Sequence, residues 1–172
     1  QVIFSSRKHQ PSIQQFMKIK KCAFLIIVFL TTLFNATAQI QQHEEDLVKG
    51  TINKLFDGMR NTDSATVSVT FANNAIMQTI HKSKDGEFKL SDEKVADFIK
   101  FTGTPHKEKF DERIVFTKIL IDGNLASVWT DYKFYIDNKF SHCGVNSFQL
   151  FKDKTTWKII YIVDTRRKEN CL

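Results

Sequence analysis

At 172 residues with a 42% hydrophobic composition, the chain is long enough to bury one core and too short for several domains. Its formal charge of +6 suggests an acidic partner, but five of the 25 basic residues (Arg7, Lys8, Lys18, Lys20 and Lys21) precede residue 39, in a stretch without acids. The remainder holds 20 basic against 19 acidic residues, which removes the electrostatic case for nucleic acid as a partner.

The first methionine is Met17. After it, Lys18, Lys20 and Lys21 form a positive region, Ala23 to Phe34 a largely apolar run of 12 residues, and Ala36-Thr37-Ala38 a small-x-small site. That order predicts a secretory signal peptide. The run is too short for a membrane span, which takes about 20 apolar residues. A lipid-attachment role for Cys22 is rejected, because Lys20 and Lys21 stand before it and the apolar run follows it. The chain thus divides into 1–16, upstream sequence or a cloning remnant, 17–38, the signal peptide, and 39–172, a single domain. That domain is expected to be secreted or periplasmic after cleavage near Ala38, with no membrane span in its mature form.

From His43 to Asn61, Val48, Ile52, Leu55, Phe56 and Met59 fall on one stripe of a helix, with Glu44, Glu45 and Asp46 in the first turn, where the helix dipole favours acids. Asp63 or Ser64 caps a second short helix to Phe71, weakened by the β-branched Thr66, Val67 and Val69. Asn73-Asn74 reads as a break before a strand from Ala75 to His81. Lys84-Asp85-Gly86 predicts a turn, and Glu87 to Leu90 a short returning strand. Ser91 is the expected cap of a helix from Asp92 to Phe101, ended by Gly103-Thr104-Pro105. Four strands follow: Asp111 to Ile121, Leu125 to Ile136, Lys139 to Phe151 and Trp157 to Asp164. Tight turns at Asp122-Gly123-Asn124, Asp137-Asn138 and Asp153-Lys154-Thr155 join them into a curved antiparallel meander. Helices first and strands later predict an α+β domain with helices packed on one face of the sheet.

The stretches KLFDGMRNTDSATVSVTFANNAIMQTI, LASVWTDYKFYIDNKFSHCGVNSFQLFK and TWKIIYIVDTRRKENC carry this order of elements. Together they resemble the nuclear-transport-factor-2-like (SnoaL-like) superfamily, in particular its small secreted bacterial branch named for lumazine binding. The resemblance covers roughly Glu44 to Cys171. It implies a cystatin-like cone, a strongly bent sheet closed by two or three helices, and a homodimer formed over the sheet face the helices leave open. It implies no single reaction, since the superfamily holds isomerases, dehydratases, cyclases, ligand-binding proteins and dimerisation modules. Enzymes of the ketosteroid-isomerase type place an Asp base and a Tyr or acid donor in the cone. Asp131, Tyr132 and Tyr135 are residues of those types, but they do not match position by position, so no catalytic role is carried over.

Within the third strand, His142 and Cys143 stand side by side. Successive strand residues face opposite ways, so a regular strand cannot aim both at one metal or one substrate. Two cysteines remain in the secreted domain, and the even count favours a disulfide between Cys143 and Cys171 over two free thiols. If Phe151 pairs with Trp157, Cys143 lies opposite Thr165, His142 opposite Arg166 and Gly144 opposite Asp164. His142, Asp164 and Arg166 then cluster at one end of the sheet, either as a binding or acid-base group or as a polar tie for the tail. The Asp is expected to raise the His pKa. A two-residue loop at Asp137-Asn138 brings Asp131 and Lys133 to this face, and a three-residue loop brings Tyr132 and Phe134; the residues leave that choice open. The aromatic strand from Trp129 to Tyr135 lines either a pocket for a flat ligand or plain core, and His81 sits near the expected mouth.

The candidate ligand-binding residues are therefore Trp129, Asp131, Tyr132, Tyr135, His142, Asp164 and Arg166. A phosphate-binding glycine loop, a zinc spacing and a nucleophile motif are all lacking, so no cofactor and no metal is called for. Three functions compete: a pocket of roughly 300 Å³ or more for an unknown small molecule; an isomerase-, dehydratase- or cyclase-type enzyme using Asp131 or the His142–Asp164 pair; and a dimeric interaction module with a filled cone.

Overall fold

The computed structural model describes residues 39–171; the expected signal peptide and the sequence before it lie outside the described residues. Helix α1 spans residues 39–60. Its Val48, Ile52, Leu55 and Phe56 are buried, and the same stripe of apolar side chains was expected from the sequence. Glu44 fixes the helix to the sheet, accepting from Lys152 Nζ at 2.6 Å and Trp157 Nε1 at 3.1 Å. Asp63 caps the one-turn helix α2 (Ser64–Ser68), accepting from Thr66 N at 2.9 Å and Thr66 Oγ1 at 2.6 Å. The helix stops three residues short of the expected Phe71, in keeping with its β-branched content.

The strands are β1 (Phe71–Lys82), β2 (Phe88–Glu93), β3 (Phe110–Asp122), β4 (Leu125–Ile136), β5 (Lys139–Asp153) and β6 (Thr156–Arg166), in the sheet order β2-β1-β6-β5-β4-β3. Helix α3 (Val95–Thr102) follows β2. The domain is α+β: α1 and α2 come first, and α3 stands between the β1–β2 hairpin and the four-strand meander of a curled, mostly antiparallel sheet. The β3–β6 meander is antiparallel as expected, and β1 adds to its β6 edge in parallel. Two expectations are corrected. Asn73-Asn74 does not break the chain: β1 runs through it, and the β6 pairing shifts register between Phe71 and Ile76. Ser91 does not cap a helix, because Ser91 and Asp92 pair with Thr79 and Gln78, and Gln78 Nε2 donates to Asp92 Oδ1 at 2.7 Å. The backbone is committed to the sheet there, so α3 starts at Val95 with Lys94 as its N-cap.

One buried cluster joins the α1 stripe and Val67 to Phe71, Ala126, Val128, Phe148, Leu150, Trp157, Ile159 and Ile162 on the inner sheet face. Among the described residues no helix is long and apolar enough to cross a membrane.

The registers decide which side chains reach the inner face. Asp137 (φ 52°) and Asn138 (φ 64°) make a two-residue turn pairing Ile136 with Lys139, and both residue types tolerate positive φ. That loop alone would turn Asp131 inward. A bulge intervenes: Tyr135 pairs with Phe140 but Phe134 with His142, which leaves Ser141 as the extra residue. Past it, Tyr132 and Phe134 share the inner face with His142.

The β5–β6 register also differs from the expected one. Lys152, not Phe151, pairs with Trp157, and a second bulge, with Ile160 of β6 as the extra residue opposite Gln149 and Leu150, adds another shift. Cys143 therefore lies opposite Arg167 rather than Thr165, and Asn146, not Gly144, lies opposite Asp164. The two one-residue shifts add to two, and an even shift restores the face, so His142, Asp164 and Arg166 still point the same way. Cys143 points the other way and is bridged to Cys171.

Candidate functional site

A cavity of about 240 Å³ lies on the inner face, between the sheet and the helices. Phe56 and Met59 of α1, Phe98 and Phe101 of α3, and Phe134 of β4 form part of its apolar wall. It adjoins a groove of about 270 Å³, and Met59, Phe98, Phe101 and Phe134 line both. Taken alone, the cavity is smaller than the roughly 300 Å³ expected of a small-molecule pocket. It suits a compact ring rather than a drug-sized molecule.

Two polar residues of the cavity wall, Asp164 and Asn146, belong to one polar row across the sheet. Thr79, Asp164, Asn146 and Thr130 are successive cross-strand partners over β1, β6, β5 and β4. Thr79 Oγ1 donates to Asp164 Oδ1 at 2.5 Å, and Arg166 Nε donates to Asp164 Oδ2 at 3.0 Å. Arg166 Nη2 also donates to Thr79 Oγ1 at 3.2 Å. Tyr132 Oη donates to the Thr165 carbonyl at 2.9 Å and lies 3.3 Å from Asp164 Oδ2. Burial, with Asp164 and Glu112 nearby, pushes the Tyr132 phenol well above its ordinary range, so it stays a neutral donor.

Glu112 of β3 is the most perturbed carboxyl. The residue as a whole keeps some exposure, but its carboxyl is enclosed, and desolvation drives its pKa to about 7. Asn146 Nδ2 donates to Glu112 Oε1 at 2.8 Å and only partly offsets that rise; the Asp164 charge adds to it. Among the described residues Oε2 has no hydrogen bond and no buried side-chain polar atom is left without a partner, so this oxygen is open to the cavity Glu112 lines. A carboxyl poised near neutrality with one open oxygen can give or take a proton at ordinary pH.

His142 packs its ring against Phe134 (centroids 4.9 Å apart) and edge-on to Tyr132 (5.7 Å). Its pKa is lowered, not raised as expected. Burial is the largest cause, Arg166 and Lys168 act in the same direction, and Asp164 only opposes them. It is thus a neutral imidazole at neutral pH, with Nδ1 3.1 Å from Ser141 Oγ.

Of the residues singled out in the sequence, Tyr132, His142, Asp164 and Arg166 come together around this cavity. Trp129, Asp131 and Tyr135 do not: the bulge at Ser141 places them on the outer face. Trp129 is 48% exposed there, Tyr135 lies under the Arg113 guanidinium at 4.2 Å, and Asp131 lines a shallow outer depression. Glu112, Asn146 and Thr79 were missed. The signal for one of them was legible: Glu112 interrupts Phe110, Ile114 and Phe116 in an otherwise apolar inward series. Among the described residues no cluster of His, Cys, Asp and Glu stands at metal-ligand spacing.

A curled sheet with helices across its concave face and polar groups at the bottom of the resulting cavity defines the nuclear-transport-factor-2-like, or cystatin-like, fold. Solved structures agree. An NTF2-like protein of unknown function from Shewanella baltica superposes with a TM-score of 0.57 at 16% identity, over 74% of this chain and 96% of that one. An NTF2-like protein of unknown function from Methylobacillus flagellatus gives 0.53 at 18% identity, over 73% and 93%. A domain of unknown function with a cystatin-like fold from Nostoc punctiforme gives 0.54 at 13% identity, over 73% and 78%. At these identities the likeness is one of fold. No family model matches the sequence, and no curated protein matches it.

Proposed function

We propose that this domain binds a small, flat, partly apolar molecule in the cone between α1, α3 and the inner sheet face. The observation that carries the reading is the convergence of Glu112, Tyr132, His142, Asn146 and Asp164 on one aromatic-walled cavity. A few fixed polar groups in an apolar recess are the usual makeup of a small-molecule site. The resemblance to the branch named for lumazine binding makes a fused heteroaromatic ring the first ligand to try. The site is proposed to work outside the cytoplasm, exported by the segment Met17 to Ala38; the Cys143–Cys171 bridge supports an oxidising compartment. Dimerisation is proposed over the outer sheet face, where Val115, Trp129, Leu125 and Phe151 are exposed.

Native mass spectrometry of protein purified without reductant, then denatured, tests the binding reading. A non-covalent small molecule that is lost on denaturation is expected, and its mass identifies it. A bare protein that also takes up no fused-ring heteroaromatic on titration refutes the reading. The same spectra report the dimer.

A second reading is favoured by Glu112 alone: an isomerase-type enzyme in which this carboxyl, rather than the expected Asp131, shuttles a proton. It requires bound ligand to exchange a carbon-bound hydrogen with solvent deuterium, and Glu112→Gln to stop the exchange without loss of binding.

A further inference from the structure

A second, wider cavity of about 730 Å³ opens where β6 leaves the sheet and the C-terminal tail begins. Its walls carry Lys82, Arg166, Arg167 and Lys168, with His81, against the single carboxylate of Glu169. Residues 39–172 are otherwise close to charge balance, so this is a local concentration of cations and not a consequence of composition. The fold forces them together. Arg166 stands opposite His81 in the parallel β1–β6 pairing. Arg167 is tied to Cys143 by two backbone hydrogen bonds of 2.8 and 2.9 Å, and the bridge to Cys171 pins the tail four residues further on. Arg166 is partnered by Asp164, whereas Lys82 and Lys168 make no ion pair among the described residues.

His142 and Arg166 line both this groove and the cone, so the two spaces share a wall. Their polarities are opposite. The cone interior holds the carboxyls of Glu93, Glu112 and Asp164 against one cation, Arg166, which Asp164 already pairs, so it offers an anion no unpaired cation. The groove presents ammonium and guanidinium groups, which suit phosphate and carboxylate oxygens. From this shared wall we infer that the ligand of the cone is an amphipathic anion, its ring in the cone and its phosphate or carboxylate group in the groove against Lys82, Arg166, Arg167 and Lys168. The inference rests on the cone being a ligand site, and it adds the chemical class and the orientation of the ligand.

The test is a ¹⁵N NMR titration of the disulfide-bonded protein with four probes: 2-naphthyl phosphate, 2-naphthoate, neutral 2-naphthol and pyrophosphate. The naphthyl anions are expected to shift both cone amides (Phe98, Tyr132, Phe134) and groove amides (Arg167, Lys168), and to bind at least about tenfold tighter than 2-naphthol. A preference for the phosphate or for the carboxylate identifies the anionic group, and either supports the inference. The double variant Lys82→Glu/Lys168→Glu changes two exposed side chains and should remove that preference while leaving 2-naphthol binding unchanged. Equal binding of anions and 2-naphthol, unmoved by the variant, overturns the anion site and leaves the cone reading standing. Pyrophosphate shifting only groove amides, with no naphthyl compound entering the cone, overturns the amphipathic ligand and leaves a polyanion-binding surface. No shift from any probe overturns the inference and the cone reading together.

Discussion

Replacing Glu112 by Gln tests whether the cone is a dry, poised site. In the folded protein desolvation holds this carboxyl near pKa 7, against an ordinary value of 4.5. Between those values the native state keeps a proton that the unfolded chain has released, so stability falls as pH rises. Its contribution is complete below about pH 4.5 and is lost as pH rises through about 7. At about 1.36 kcal/mol per pKa unit, Glu112 costs the fold about 2.4 kcal/mol between about pH 5 and about pH 7.5. A glutamine at this position has nearly the shape of the protonated acid and can still accept from Asn146 Nδ2, but it does not titrate. Urea denaturation of both proteins at the two pH values isolates the effect. The parent should lose about 2.4 kcal/mol more than Glu112→Gln over that interval, which makes the variant the more stable protein at the higher pH. Parallel pH dependence would refute the reasoning: Glu112 would then be solvated and ionised like a surface acid, and its role as a proton shuttle would go with it.

Other predictions follow from the same contacts. Bridging residues 28 apart limits the unfolded chain, so Cys171→Ser should lower stability by about 3.6 kcal/mol in the chain-entropy model, measured by denaturation without reductant; an unchanged midpoint counts against the bridge. Gly144→Ala would place a Cβ 1.7 Å from the Thr165 carbonyl and 2.7 Å from Tyr132 Cε1, so β6 must move away; a loss of more than about 3 kcal/mol is expected by thermal melting, with slower formation of the bridge. Tyr132→Phe removes the donor to Thr165 and should cost about 1–2 kcal/mol in the same assay. Asp131→Asn, on the outer face, should leave fused-ring binding unchanged by titration calorimetry.

The α+β class and most strand bounds were legible because each depends on local chemistry, and the disulfide because Cys143 and Cys171 are the two cysteines after residue 38. Apolar residues at helical spacing make the α1 stripe, alternation makes the strands, and Asp137-Asn138 tolerates the positive φ of a tight turn. Strand parity is equally local, and it is why His142 and Cys143 were expected on opposite faces and are found there. What the sequence could not decide was register. Ser141 and Ile160 carry no composition that marks a bulge, yet one extra residue turns every side chain beyond it to the other face. The first bulge exchanged Asp131 for Tyr132 inside the cone, and the second combined with the β5–β6 turn to return His142 and Asp164 to the same side. Those shifts are set by how the inner face packs against α1 and α3, contacts between segments far apart in the chain. The pKa values of Glu112 and His142 were out of reach for the same reason: burial and the sum of distant charges set them, and both exist only once the sheet has closed around the cavity.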